Sequence, residues 1–205
     1  MKLAVGTSRM SLLRLRRRLI IARRGHKLLK DKQEELMRQI LGLIDDIRTH
    51  RQHVEKEILK VLTNFRFAQN AFNPEYMETA LMLPRRKLSL TLKTKNILNV
   101  RVPVFEKKIT GNIRSYGFLS TSGELDFTLQ SLDKLLDSLL VLAEKEKTLE
   151  LLADEMEKTR RRVNALEFVL IPNIVETIKF IMLKLTETER SDLTRLMRVK
   201  EIIRG

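Results

Sequence analysis

The sequence has no cysteine and no tryptophan, and only 4 prolines and 7 glycines among its 205 residues. Without cysteine there can be no disulfide framework, no thiolate metal site and no cysteine nucleophile, which fits an intracellular protein. So few turn formers leave few places for the chain to reverse, and the wealth of Leu, Ile, Lys, Arg and Glu points to long helices. Long apolar runs are also missing. Stretches such as Leu139 to Ala143 fall far short of the roughly 18 residues that a membrane span needs. The N-terminal LLRLRRRLII carries arginines through its middle and lacks a small-residue cleavage site, so it does not read as a secretory signal. A cytoplasmic protein, soluble or peripheral to a membrane, is expected.

Acidic residues are absent from the first 30 positions, which hold ten Lys and Arg and so account for +10 of the net charge of +14. A block this uncompensated implies a polyanionic or acidic-lined partner. What is plentiful is apolar residues, at 43%, enough to bury a core. From Leu12 they recur at alternating three and four: Leu12, Leu15, Leu19, Ala22, Leu29, Leu36, Ile40, Leu43, Ile47 and Val54, then one residue out of phase as Ile58, Val61, Phe65, Ala68 and Phe72. A 3.5-residue repeat held this long is a coiled-coil seam, and the slip after Val54 reads as a stutter. A second seam follows TSGE, where Thr121 and Glu124 have capping-box spacing. It runs through Leu125, Leu129, Leu132, Leu136, Leu139 and Ala143, then Met156, Val163, Leu166, Leu170, Ile174, Ile178, Ile181, Leu185, Leu196, Val199 and Ile203. Pro172 falls inside it and predicts a bend rather than an end, because the periodicity continues.

The chain divides into three segments: residues 1–72, an N-terminal coiled-coil helix; 73–123, a middle globular segment; and 124–205, a C-terminal coiled-coil helix. Helices of roughly 65 and 80 residues would be on the order of 100 and 120 Å long. Neither can bury its stripe alone, so the two pair antiparallel and the chain is expected to be a rod. In the middle, Asn73 and Pro74 suit the start of a short helix. KLSLTLK (Lys87 to Lys93) and ILNVRVPVF (Ile97 to Phe105) alternate as strands do, and a third strand is placed near Tyr116 to Leu119 after a turn at Thr110, Gly111 and Asn112. The fold class is mostly α: a long antiparallel two-helix coiled coil with a small central α+β segment containing a short β-hairpin.

Catalytic signatures are not found. There is no phosphate-binding GxxxxGK[ST] loop, nucleophile elbow or zinc-protease motif. His50 and His53 lie i, i+3 but lack a third ligand set, and Asp45 and Asp46 point about 100° apart on a helix. No catalytic, cofactor or metal residue is assigned. The stretch that stands out is EKTRRRVNALE, Glu157 to Glu167. With the seam through Val163 and Leu166, Arg161 faces away from it, Arg160 and Arg162 lie on its flanks, and Asn164 faces outward. A rod lying on DNA would gather its cations on one stripe, whereas charges fanned round the circumference suit a rod enclosed by its partner.

TSRMSLLRLRRRLIIARRGHKLLKDKQEEL and EKTRRRVNALEFVLIPNIVETIKFIMLKLTETERSDLTRLMRVK closely resemble the D subunits of the vacuolar and archaeal (V/A) type rotary ATPases, including their bacterial forms. The resemblance covers both helices, and ARRGHKLLKDK and KTRRRVNALE followed by IP are its most specific stretches. At the entry to the first helix Thr7 and Ser8 precede Arg9, where the family usually has Pro-Thr and a basic residue. The resemblance implies a non-catalytic central-stalk rotor subunit that couples ATP hydrolysis or synthesis to rotation and ion translocation, of protons or sodium, through a membrane ring. The implied partners are a hexamer of catalytic and non-catalytic subunits, which hold the ATP or ADP and Mg, the small companion F subunit, and a funnel-like subunit above the membrane ring. It would bind no cofactor or nucleic acid itself and would not span the membrane. Carried onto this sequence, Arg9, Arg14, Arg17, Arg18, Arg160, Arg161, Arg162, Asn164, Arg195 and Arg198 would meet the hexamer's inner wall. At the level of a region, Leu88, Leu90, Leu92, Ile97, Val100 and Val102 would meet the companion F subunit. Two other classes share some of these features, a prefoldin-like chaperone and a nucleic-acid-binding coiled coil. Suppression of client aggregation, or affinity for any DNA that falls steeply with salt, would distinguish them.

Overall fold

A computed structural model describes residues 6–70, 74–82, 84–114, 116–117 and 123–204. The order is α1 (Arg9–Asn70), α2 (Pro74–Leu81), β1 (Lys87–Ile97), β2 (Val100–Thr110), α3 (Gly123–Asn164), a π-helical segment (Ala165–Leu170) and α4 (Ile171–Arg204). The protein is mostly helical, with long N- and C-terminal helices and one two-stranded antiparallel hairpin. Ser8 caps α1: its Oγ accepts the Ser11 amide hydrogen at 3.1 Å, occupying one of the first-turn donors that have no helical partner. The capping partner Thr121, the cap Asn73 and Phe72 lie outside the described residues. So does part of the expected third strand, and Tyr116 and Gly117 are not in a strand.

Contacts divide the chain into two units, Met1–Glu35 with Met156–Gly205, and Leu36–Glu155. In the first, Leu15, Ile174 and Ile181 form a buried cluster bordered by Leu12, Leu19, Leu170, Ile178 and Leu185. Partners descend as α1 ascends: Arg9 meets Glu189 and His26 meets Glu167, the order of antiparallel helices. In the second unit Ile47, Val54 and Val61 of α1 pack with Leu135 and Leu142 of α3. Each side chain fully withdrawn from water contributes about 1.5–3 kcal/mol, so these seams hold the helix pairs together.

The seam of α1 keeps its slip, and the seam of α3 corrects an expectation. Ile40, Ile47, Val54, Val61 and Ala68 are all buried at a spacing of seven, but the residue packed beside them moves from Leu43, three after Ile40, to Ile58 and Phe65, four after Val54 and Val61, which is the one-residue slip after Val54. In α3 Leu125 is buried as expected, but the core then runs through Leu135, Leu142 and Leu152, while Leu132 and Leu139 are exposed. The reason is that α3 has two apolar faces. Leu129, Leu132 and Leu136 line a hollow with Leu88 and Ile109 of the hairpin, so its leucines serve two neighbours and a single heptad cannot describe them.

The helix runs through Pro172 without ending. Just before the proline the turns widen, and the Ile171 amide donates to the Leu166 carbonyl five residues back, the bond of a π-helix. Proline has no amide hydrogen to offer Phe168, and the wider turn lies where that bond is missing.

In the hairpin Lys87 pairs with Thr110 and Ile97 with Val100. Leu98 and Asn99 form the turn, both at positive φ (50° and 68°), the backbone of a two-residue hairpin loop that matches strand twist. Ile97 to Phe105 is thus a strand end, a turn and a second strand. Gly111, at φ 96°, passes so close to Arg85 that an added Cβ would sit 2.2 Å from its carbonyl oxygen. Tyr116 donates to Asp126 at 2.5 Å. Burial first, then that bond and the carboxylate charge, against the opposing Arg114, hold its pKa well above the usual tyrosine range.

Candidate partner-binding surfaces

The arginine stretch lies at the end of α3. Thr159 and Val163 are buried against the neighbouring helix, and Arg160, Arg161, Arg162 and Asn164 are all exposed, as the seam phase requires. Arg161 bonds Glu157 one turn earlier, a pairing worth only a few tenths of a kcal/mol on a helix surface. Among the described residues Arg160 and Arg162 have no carboxylate in ion-pairing distance, and neither do Arg14, Arg17, Arg18 and Arg198, all exposed. Arg9 pairs with Glu189 at 2.7 Å and Arg195 with Asp192 at 3.9 Å, both arginines more than three-quarters exposed. Pairs this exposed restrain their cations weakly.

Beyond Leu185 every described residue of α4 is exposed. That end carries Leu193, Leu196, Met197, Val199, Ile202 and Ile203, each at least half exposed, interleaved with basic residues. The sequence seam through Leu196, Val199 and Ile203 is therefore present as a pattern but, among the described residues, is covered by nothing.

In the hairpin region Leu88, Leu90 and Leu92 are exposed, Ile97 is half-buried, and Val100 and Val102 are buried, so a partner reaching this hairpin meets the leucine row. A second basic centre lies here, overshadowed in the sequence by the charge block of the first 30 residues. Residues 84–114 hold nine Lys and Arg against one acid, Glu106. A windowed charge count finds it, but its anchoring is legible only in three dimensions. Arg114 meets Asp126 at 3.5 Å, Arg86 meets Asp133 at 2.7 Å, Lys107 meets Asp137, and Glu144 accepts the Phe105 amide hydrogen at 3.4 Å. Four acids spaced along α3 thus hold the loop and hairpin against it.

His53 pairs with Glu57 at 3.0 Å and Asp46 with Lys145 at 3.8 Å. Among the described residues no three His, Asp or Glu gather to hold a metal, and no helix is long and apolar enough to cross a membrane.

Paired antiparallel helices, a tethered basic hairpin and an exposed apolar-and-basic end of α4 define a coiled-coil protein. The sequence model of the family of ATP synthase D subunits matches residues 11–201. The chain is 50% identical over 205 residues to the D subunit of the V-type ATP synthase of Fusobacterium nucleatum, covering 98% of this chain and 97% of that protein. It is 49% identical to the protein of that name from Acetivibrio thermocellus, over 97% of this chain and 91% of that protein. It is also 49% identical to the one from Clostridium botulinum, over 99% and 96%. The chain belongs to the ATP synthase D-subunit family.

Proposed function

We propose that the chain is the central-stalk rotor subunit of a V/A-type rotary ATPase and is not itself catalytic. It couples ATP hydrolysis or synthesis in a hexamer of catalytic and non-catalytic subunits to rotation, and through it to movement of protons or sodium ions across a membrane ring. ATP or ADP and Mg are held by the hexamer. The observation that carries this reading is the end of α4, where nineteen consecutive residues, 186–204, are exposed although they include six large apolar side chains. Apolar area left in water is a standing cost that a surrounding partner removes. The arginines at 9, 14, 17, 18, 160, 161, 162, 195 and 198, with Asn164, then face the hexamer wall, and their spread of directions suits contact all round. The leucines at 88, 90 and 92, with Ile97, Val100 and Val102, belong to the region assigned to the companion F subunit, and the funnel-like subunit completes the stalk. Rotation follows if the asymmetric subunit fits only one arrangement of open and closed hexamer interfaces at a time, so that each hydrolysis step shifts the favoured orientation.

Mixing the purified chain with the two hexamer subunits tests this. Co-purification at one copy per hexamer is expected, because a ring has one axis, and the double substitution Leu196→Ser, Ile203→Ser should weaken that association. Three copies per hexamer, or undiminished binding of the double variant, would overturn the assignment.

A further inference from the structure

By the strand register, Lys87, Ser89, Thr91, Lys93, Lys95 and Ile97 of β1 share one face of the hairpin with Val100, Val102, Val104, Glu106, Lys108 and Thr110 of β2. The one acid on that face, Glu106, is taken by Lys93 at 2.6 Å. Lys87, Lys95 and Lys108 are exposed and, among the described residues, no carboxylate lies within ion-pairing distance of them. Three other cations of this region are treated differently: Arg86, Lys107 and Arg114 each meet an aspartate of α3.

We infer that the lysine face of the β1–β2 hairpin is a docking surface for an acidic segment of a partner protein. Charge complementarity selects the occupant, and α3 shows the mode. The chain's own carboxylates at 126, 133, 137 and 144 span about 27 Å of helix, and Lys87 to Lys95 span about 26 Å of strand. A row of acids on a partner helix or strand therefore meets the free lysines as α3 meets the paired cations. A bilayer fits less well. Between the lysines lie Ser89 and Thr91, and the apolar members of the face are buried or half-buried, so nothing is available to insert below the headgroups. A nucleic acid fits less well too, since the face offers no exposed aromatic for stacking and no arginine fork for phosphate. This surface is separate from the helix ends that carry the rotor reading, so either can fail without the other.

The test is amine footprinting of the full chain by acetylation, read at each lysine by mass spectrometry, with saturating oligoglutamate peptide at low ionic strength. Acetylation of Lys87, Lys95 and Lys108 is expected to slow about fivefold, as for sites mostly occupied, while Lys56 and Lys60 on α1 keep their rates. In the variant Lys87→Gln, Lys108→Gln, protection of Lys95 should be lost, whereas Lys56→Gln, Lys60→Gln should preserve it. Protection at none of the three lysines, equal loss in both variants, or equal protection by phosphatidylserine vesicles or a DNA duplex would overturn the inference.

Discussion

Arg86, Lys107 and Arg114 each meet a carboxylate of α3, whereas Arg14, Arg17, Arg18, Arg160, Arg162 and Arg198 meet none among the described residues. The chain thus has two strongly basic regions that it handles differently. Around the hairpin three cations fasten one element to another, beside Lys87, Lys95 and Lys108, which meet no carboxylate among the described residues. In the unit built from residues 1–35 and 156–205, Arg9, Arg161 and Arg195 have only exposed ion pairs, and the six arginines without a carboxylate stand in water near exposed apolar side chains. For Arg14, Arg17 and Arg18 the difference lies in the supply of acids: α3 carries a spaced series of them beside the hairpin, while no acid precedes Asp31 in α1. On the reading proposed above, a surface that lacks counter-charges and apolar cover together is one that another molecule covers.

The largest expected effect separates covered from uncovered parts of the same helix. Ile181 is fully buried and Ile203 is 78% exposed. Ile181→Ala should cost about 2–5 kcal/mol in urea unfolding, the loss of transfer energy plus a cavity. Ile203→Ala should stay within about 0.5 kcal/mol. An equal cost at Ile203 would mean that the end of α4 is covered after all. Next in size is Gly111→Ala, which imposes a left-handed backbone on a residue with a Cβ and drives that carbon into the Arg85 carbonyl. A loss of about 1–3 kcal/mol is expected, seen as faster amide exchange across residues 87–110. Unchanged exchange there would show that the crossing of Arg85 and Gly111 does not hold the hairpin.

A smaller effect probes the adhesive role of charge. Asp133→Lys with Asp137→Lys removes the half-buried Arg86 pair and the more exposed Lys107 pair, surface pairs being worth about 0.2–1 kcal/mol each, and replaces attraction with repulsion. Amide exchange in the hairpin should quicken, and added salt should narrow the gap from the unaltered chain. Glu189→Lys, which breaks the Arg9 pair in the other unit, should leave the hairpin's exchange untouched.

Both long helices are legible in the sequence because a 3.5-residue apolar repeat sustained over many turns matches a helix seam and no strand or loop period. The same phase places Arg160, Arg161 and Arg162 outward. Legibility fails where one side chain type serves two purposes. The leucines of α3 cover both α1 and the hairpin, so an apolar count chooses Leu132 and Leu139 over the buried Leu135 and Leu142. It also passes over Thr128, Thr148, Thr159 and Thr177, all buried in the seam. The hairpin turn is hidden because Leu98 and Asn99 adopt positive φ without a glycine. The acid series of α3 is visible as letters, but its use depends on which element folds beside it, and pattern in one helix carries no such information.

The seam threonines give the finest comparison between the two units. Thr148 donates to the Glu144 carbonyl at 2.7 Å, so its hydroxyl is satisfied by its own helix. Thr159 is 1% exposed and, among the described residues, its hydroxyl has no partner. A buried unpaired hydroxyl carries its desolvation cost without return, on the order of 1–3 kcal/mol. Valine has nearly the same shape and no such group. Thr159→Val should therefore raise stability by about 1 kcal/mol in thermal unfolding, while Thr148→Val, which gives up a made bond, should bring no such gain. A loss at Thr159 would reveal a partner for the hydroxyl, such as a bound water, and the seam beside the arginines would then be wetter than the seam beside the hairpin.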